Sequence, residues 1–159
     1  MIPQEIFDSL KGKFGDSIKE LKSDKPVDPF IIIAAEKIAE ACMYLRDYEE
    51  FQFDQLMCLS GVDIGDGNLA TVYHLYSFEK KHKIVLKTIV PKDNPVTPSV
   101  SNVWLTANWH ERESFDLIGI NYTGHPDLRR ILLPDDWEGH PLRKDYQVPE
   151  FYNGMKVPY

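Results

Sequence analysis

Cysteine is scarce in this chain: its 159 residues hold only Cys42 and Cys58. They form no Cys-x-x-Cys pair, whereas an iron–sulfur cluster takes four thiolates and a structural zinc takes clustered Cys and His. The chain is therefore expected to bind no cluster and no metal, and both thiols read as small buried apolar groups. Long apolar runs are missing as well. The longest, residues 30–35, falls far short of the ~20 residues that cross a bilayer. The N-terminus carries acidic residues and no apolar stretch, so it does not read as a signal peptide. Excess positive charge is the third absence, with 18 Lys and Arg against 25 Asp and Glu and a net charge of -7. Nucleic acid and anionic lipid both select basic surfaces, so neither is an expected main partner. No Gly-rich phosphate loop and no Gly-x-Ser-x-Gly elbow occurs. These absences point to a cytosolic chain, or one on the cytosolic surface of something else.

What is present suits one folded domain, with 43% hydrophobic and 27% charged residues. Ile6, Phe7, Leu10 and Phe14 have helical spacing, ended by Gly15. Residues 17–25 are a weak strand candidate, and Pro26 and Pro29 bound a short extended stretch. Residues 30–33 are β-branched and apolar and predict a strand. Residues 34–47 give the clearest helix, with Ala34, Ile38, Ala41, Cys42 and Leu45 on one stripe. Three strand-like runs follow, at 51–62, 69–78 and 83–90. In the second, Val72, His74, Tyr76 and Phe78 fall on one side and Leu69, Thr71, Tyr73 and Leu75 on the other. The turn-rich and polar links are short, which requires antiparallel pairing. Ser99 to Ser101 are read as the cap of a helix over 102–117, ended by Gly119. The predicted fold class is α+β: a mostly antiparallel sheet of three to four strands, two main helices on it, and an extended C-terminal segment. The domain is expected to span 1–118 and the segment 119–159.

That segment is rich in proline, glycine and paired charges. It has little to bury alone, so it is expected to lie on another protein and to be mobile in the isolated chain. His110-Glu111-Arg112-Glu113-Ser114 lacks the second histidine, four residues on, of a zinc protease helix. Arg112 and Asp116 stand one helical turn apart and can pair. Gly124-His125-Pro126 and Gly139-His140-Pro141 each fit a tight turn whose imidazole caps a carbonyl or reaches a partner. Arg129, Arg130, Arg143 and Lys144 sit among Asp127, Asp135, Asp136, Glu138 and Asp145, a dipolar pattern suited to ion pairs that fix a partner's register. Trp137, Phe151, Tyr152 and Tyr159 favour contact, since exposed aromatics gain from being covered. The acidic turn at 63–68 lacks the ligand alternation of a calcium loop and reads as a hairpin. The rival readings are a hydrolase using His110, Glu111 and Glu113, and a generic adaptor.

A dense run of residues resembles one family. Glu111-Arg112-Glu113, Phe115-Asp116-Leu117 and Gly119-Ile120 lead into Gly124-His125-Pro126-Asp127-Leu128-Arg129-Arg130-Ile131-Leu132. Asp135-Asp136-Trp137 and Gly139-His140-Pro141-Leu142-Arg143-Lys144-Asp145 follow. With Phe53-Asp54, Val72-Tyr73-His74-Leu75-Tyr76-Ser77 and Pro98-Ser99-Val100 upstream, this is similar to the C subunit of the proton-pumping NADH:quinone oxidoreductase, respiratory complex I. Ile118 and Phe115 depart mildly from the family pattern. The resemblance implies a non-catalytic subunit of the hydrophilic arm, on the cytoplasmic face of the inner (plasma) membrane, that supports electron transfer from NADH to quinone coupled to proton translocation. It implies that the D subunit, the large one that helps form the quinone pocket, and neighbouring arm subunits are the partners. FMN, iron–sulfur clusters and quinone are then held by other subunits and none by this chain. The chain reads as unfused to the D subunit. Related subunits of membrane-bound hydrogenases and other quinone-linked dehydrogenases are the alternative. The partner interface expected on this basis comprises Glu111, Arg112, Glu113, Asp116, His125, Asp127, Arg129, Arg130, Asp135, Asp136, Trp137, His140, Arg143, Lys144 and Asp145.

Overall fold

The computed structural model describes residues 3–23 and 28–157. Pro26 and Tyr159, singled out above, lie outside the described residues. Helix α1 (Pro3–Phe14) buries Ile6 and Leu10, as its spacing predicts. Strand β1 (Ile18–Lys22) follows, then β2 (Phe30–Ile33), a single 3-10 turn over Ala35–Lys37, and helix α2 (Ile38–Asp47). α2 buries Ile38, Ala41, Cys42 and Leu45, the stripe read from the sequence. Strands β3 (Gln55–Gly65), β4 (Asn68–Ser77) and β5 (His82–Pro91) form the expected meander. After β6 (Val96–Pro98) come helix α3 (Ala107–Ile118) and β7 (Asn121–Thr123), with the small hairpin β8 (Phe151–Tyr152) and β9 (Met155–Lys156) near the end.

The main sheet has five strands in the order β1-β2-β5-β4-β3. This corrects the expected count of three to four. It is also mixed, because β2 runs parallel to β5. The physical reason is the length of the connection: α2, β3 and β4 lie between the two strands, enough chain for a parallel return. β1 then adds to the free side of β2 as an antiparallel edge. Three helices lie among the described residues, one at each stretch where the sequence shows helical spacing.

Side chains alternate across the sheet. Leu59, Leu69, Tyr73, Leu75, Ile84 and Leu86 point into the core, while Val62 and Ile89 on the other face are each 38% exposed. α3 crosses β3 at Gly61, where any Cβ would collide with the Ser114 side chain. Thr71, Tyr122 and Ser114 complete that junction, with the Tyr122 hydroxyl 2.8 Å from Ser114 Oγ and 3.1 Å from Thr71 Oγ1. The start of α3 is a second correction: it begins at Ala107, not at residue 102. The intervening turns bury Val100, Val103 and Trp104, and the Trp104 indole N–H donates to the Phe53 carbonyl at 3.0 Å. Apart from Leu105 these residues are weak helix formers, and the packing of that tryptophan fixes them in turns. Ile120 and Tyr122 are buried too, so the core extends past the boundary at 118 that the sequence suggested.

Candidate functional site

A helix leaves its last four carbonyls without intrahelical donors. At the end of α3 those carbonyls are met from the chain that follows. Gly119 N–H donates back to Phe115 O at 2.9 Å, and Leu142 N–H donates to Leu117 O at 3.0 Å. Asp116 O accepts from Arg130 at 3.1 Å and from His140 Nδ1 at 2.9 Å. Ile118 O accepts from Arg143 Nε at 2.6 Å. Cations here also face the negative end of the helix dipole. Gly119 makes this possible: its φ is 82°, and a Cβ would lie 2.5 Å from the His140 ring. Residues 124–157 thus form a strap clasped to the end of α3.

The Asp116 carboxylate is the centre of the clasp and is fully buried. Its Oδ2 accepts the amides of Ile131, Leu132 and Leu133 at 3.0, 2.8 and 2.9 Å. Its Oδ1 accepts from Arg130 at 2.7 Å. Burial alone would raise its pKa, but the hydrogen bonds from Leu133, Arg130, Leu132 and Ile131 together outweigh it and hold the carboxyl below its ordinary range. The second amine of Arg130 donates to the carbonyls of Trp137 and Gly139, which folds the loop between them. Burial, partly offset by the bond to Asp116 O, pushes His140 below its usual pKa.

The strap is pinned at two further places. Arg112, one turn before Asp116, donates to the carbonyls of Arg129 and Arg130 at 3.2 and 3.0 Å. The expected Arg112–Asp116 pair is therefore replaced: Arg130 takes the carboxylate, and Arg112 takes backbone. Beyond the loop, Asp63 Oδ2 accepts the Lys144 amide at 2.9 Å and Lys92 Nζ at 3.1 Å. Lys92 also pairs with Asp145 at 2.7 Å. The Lys144 and Gly65 amides hold the Asp63 pKa down to about 2.

The other expected residues fall into several settings. The Glu111 side chain points into the core, where it accepts from Ser99 Oγ at 2.6 Å and Val100 N–H at 2.7 Å. So Ser99 binds α3 from the side, not as its N-cap. Burial lifts the Glu111 pKa from 4.5 to about 7, against the pull of those two bonds. His125 lies 3.9 Å from Glu111, donates through Nε2 to Asn108 O, and accepts the Asp127 amide on Nδ1. Both histidines thus cap α3 carbonyls, one of the two roles read for them. Asp127 and Arg129 form an exposed pair at 2.9 Å. Asp136 accepts from the Tyr152 hydroxyl, and Trp137 packs on the Tyr152 ring at 5.1 Å. The shielded Trp137 indole N–H has no acceptor among the described residues. Asp135 and Glu113 are exposed.

Arg130, His140, Arg143 and the Lys144 amide each have partners inside the chain, and these bonds fasten the strap to its own domain. Sequence reasoning missed Lys92, and it placed Asp63 in a hairpin turn without its role in holding the strap. Among the described residues no three of His, Cys, Asp and Glu gather as a metal site, and no helix is long and apolar enough to cross a membrane.

Comparison with known proteins bears on this geometry. Residues 31–152, which include α3, the clasp and most of the strap, match the family model described as respiratory-chain NADH dehydrogenase, 30 Kd subunit. A protein of Chloroherpeton thalassium, named as the C subunit of NADH-quinone oxidoreductase, is 49% identical over 152 residues, covering 94% of this chain and 63% of that protein. The protein of the same name in Chlorobium phaeobacteroides is 43% identical over 155 residues, covering 96% and 93%. Among solved structures, a trypsin-resistant fragment of Nqo5 superposes with a TM-score of 0.64 at 25% identity, covering 79% of this chain and 98% of the fragment. A chain of the membrane-bound sulfane sulfur reductase, an archaeal respiratory membrane complex, gives a TM-score of 0.71 at 26% identity, covering 91% and 85%. The chain spans just under two thirds of the first of these relatives and nearly all of the second. With the family's pattern running from β2 into β8, this chain belongs to the 30 Kd subunit family of the respiratory-chain NADH dehydrogenase.

Proposed function

We propose that this chain is a structural subunit of the hydrophilic arm of an NADH:quinone oxidoreductase. It docks on the large D subunit and neighbouring arm subunits at the cytoplasmic face of the membrane. It holds the arm in register while electrons pass from NADH to quinone through FMN and clusters on other subunits. The chain itself binds no redox cofactor and performs no chemistry. The observation that carries the reading is the division of labour in the strap: Arg130, His140 and Arg143 are bound to the end of α3, while Leu132, Leu142, Val148, Phe151 and Met155 are each 57–66% exposed. Apolar side chains held outward on a fixed backbone gain from a covering protein. The names of the relatives supply the identity of that protein's complex.

A second reading, an equivalent subunit of a related membrane-bound complex, is favoured by the fold match to the sulfane sulfur reductase chain. The identities of 49% and 43% to NADH-quinone oxidoreductase subunits, against 26% there, favour the first.

The test is affinity purification of the tagged chain from its native membranes. The expected result is recovery of NADH:quinone oxidoreductase activity with a stoichiometric large subunit, and a purified single chain without flavin or cluster absorbance. Recovery of a lone monomer, or a stoichiometric redox centre in the isolated chain, sinks the proposal.

A further inference from the structure

The clasp explains the strap's charged residues but leaves one surface unexplained. On α3, Trp109 and Glu113 lie one turn apart, and Leu105 stands in the turn just before the helix. Leu105 is 89% exposed and Trp109 71% exposed, the highest values among large apolar side chains of the described residues. The strap brings Ile131 and Leu132 alongside, because the amides of both are fixed by Asp116. A groove lined by Trp109, His110, Glu113, Ile131 and Leu132 results. A second cleft on the other side of the same ridge shares His110 and Glu113 and is closed by Leu142 of the strap against β3. Glu113 is exposed and, unlike Glu111 and Asp116, meets no hydrogen-bond or ion-pair partner among the described residues. The surface is thus an apolar double groove around one unpaired carboxylate.

We propose that this ridge is the seat of a segment from a different chain, one that presents an aliphatic or aromatic anchor beside a lysine or arginine. The inference rests on the proposed subunit role and deepens it, moving the docking energy from the charged clasp to Trp109 and Leu132. Charge selects the occupant. The carboxylate at the centre calls for a cation, and Arg112 and Arg130 are committed to strap carbonyls and Asp116. A second copy in a two-fold contact would set the Glu113 ridge against itself, carboxylate facing carboxylate. This chain is also acidic overall, at -7, which opposes both self-association and anionic lipid. Tryptophan, rigid and large, is the residue type that most often anchors an interface. The clasp then has a role in binding: it fixes Leu132 and Leu142 on either side of the ridge before the partner arrives, which lowers the ordering cost of association.

The experiment uses the assembled complex. A photoreactive phenylalanine analogue is placed at position 109 of the tagged chain, the complex is purified and irradiated, and the adduct peptide is sequenced. The expected adduct is on another subunit, within a few residues of a lysine or arginine. Adducts on a second copy of this chain or on lipid, or none at all, overturn the inference. In parallel, Leu132→Asp and Glu113→Lys are each expected to lower recovery of the large subunit at least tenfold, with the melting temperature of the isolated chain unchanged. Wild-type recovery from both variants overturns the inference while leaving the subunit role intact. Failure of the wild-type chain to bring down any other subunit overturns the role, and the inference with it.

Discussion

The domain and the strap of this protein are held by different forces. Between α1 and β7 the chain is organised by burial: Phe53, Tyr73, Leu75, Leu86 and Tyr122 are essentially inaccessible to water. From Gly124 onward burial is slight and the backbone is organised by hydrogen bonds that converge on Asp116, Asp63 and the carbonyls of α3. Burial is non-directional and scales with area, so the domain should respond to lost volume. Hydrogen bonds are directional and cost most when one partner is left unmet, so the strap should respond to lost charge or a shifted backbone. A chain divided in this way can keep a rigid platform and still present a long, outward-facing surface.

This contrast can be challenged from either side. The largest effect is expected in the core: Phe53→Ala should cost about 3–5 kcal/mol and lower the melting of the whole chain, strap included. Calorimetry showing an unchanged transition would mean that Phe53 is not part of the shared core. Asp116→Asn comes next. It removes the charge that receives Arg130 and the amides of residues 131–133, at about 1.5–3 kcal/mol for charge-assisted bonds. Its signature should be local: trypsin should cut faster at Arg129, Arg130 and Arg143 with little change in the main melting transition. Equal loss of both would show that strap and domain unfold as one. Gly119→Ala should cost about 1–2 kcal/mol for the left-handed backbone alone and should also displace His140 and Arg143. Its effect on trypsin cutting should therefore resemble that of Asp116→Asn.

The smallest effects concern pH, and here the two regions should drift in opposite directions. Asp63 and Asp116 titrate below their unfolded values, so the stability they give is present above the ordinary carboxylate range. It is lost as pH falls toward about 2 at Asp63. His140, also lowered, adds to the loss below its ordinary 6.5. Glu111 is raised from 4.5 to about 7, so its contribution to the core is fully present below 4.5 and lost as pH rises through 7. By linkage, acid should loosen the strap first, and Glu111→Gln should flatten the domain's pH dependence between 4.5 and 7. A wild-type domain whose melting does not vary across that window would contradict the assignment for Glu111.

These contrasts also explain what was legible in the sequence. The meander was readable because strand alternation has period two and the links were short. α2 was readable because its apolar stripe is continuous. The parallel pairing of β2 with β5 was not, since nothing local marks a strand for a neighbour so distant in sequence. The true start of α3 was missed because Ser99 to Ser101 read as a cap, whereas the buried Trp104 indole holds the weak helix formers that follow in turns. In the strap, the charged residues were readable as important, but their partners were not. Arg112, Arg143 and His140 bind backbone carbonyls, and Asp116 binds backbone amides, which the side-chain sequence does not display. In the structure Arg130, His140 and Arg143 cap the end of α3, a use of charge that spacing along the chain does not display. Family membership was legible from the same residues, since the run from Glu111 to Asp145 resembles the family on sequence alone, and the family match covers residues 31–152.

Amide hydrogen exchange on the isolated chain is the sharpest probe of the clasp. If the strap is held to α3 by Asp116, the amides of Ile131, Leu132 and Leu133 are protected without any partner. They lose that protection in Asp116→Asn, while amides of β4 and β5 are unaffected. Exchange of those three amides at the rate of an unstructured peptide in the wild-type chain would show that the strap takes its order from elsewhere.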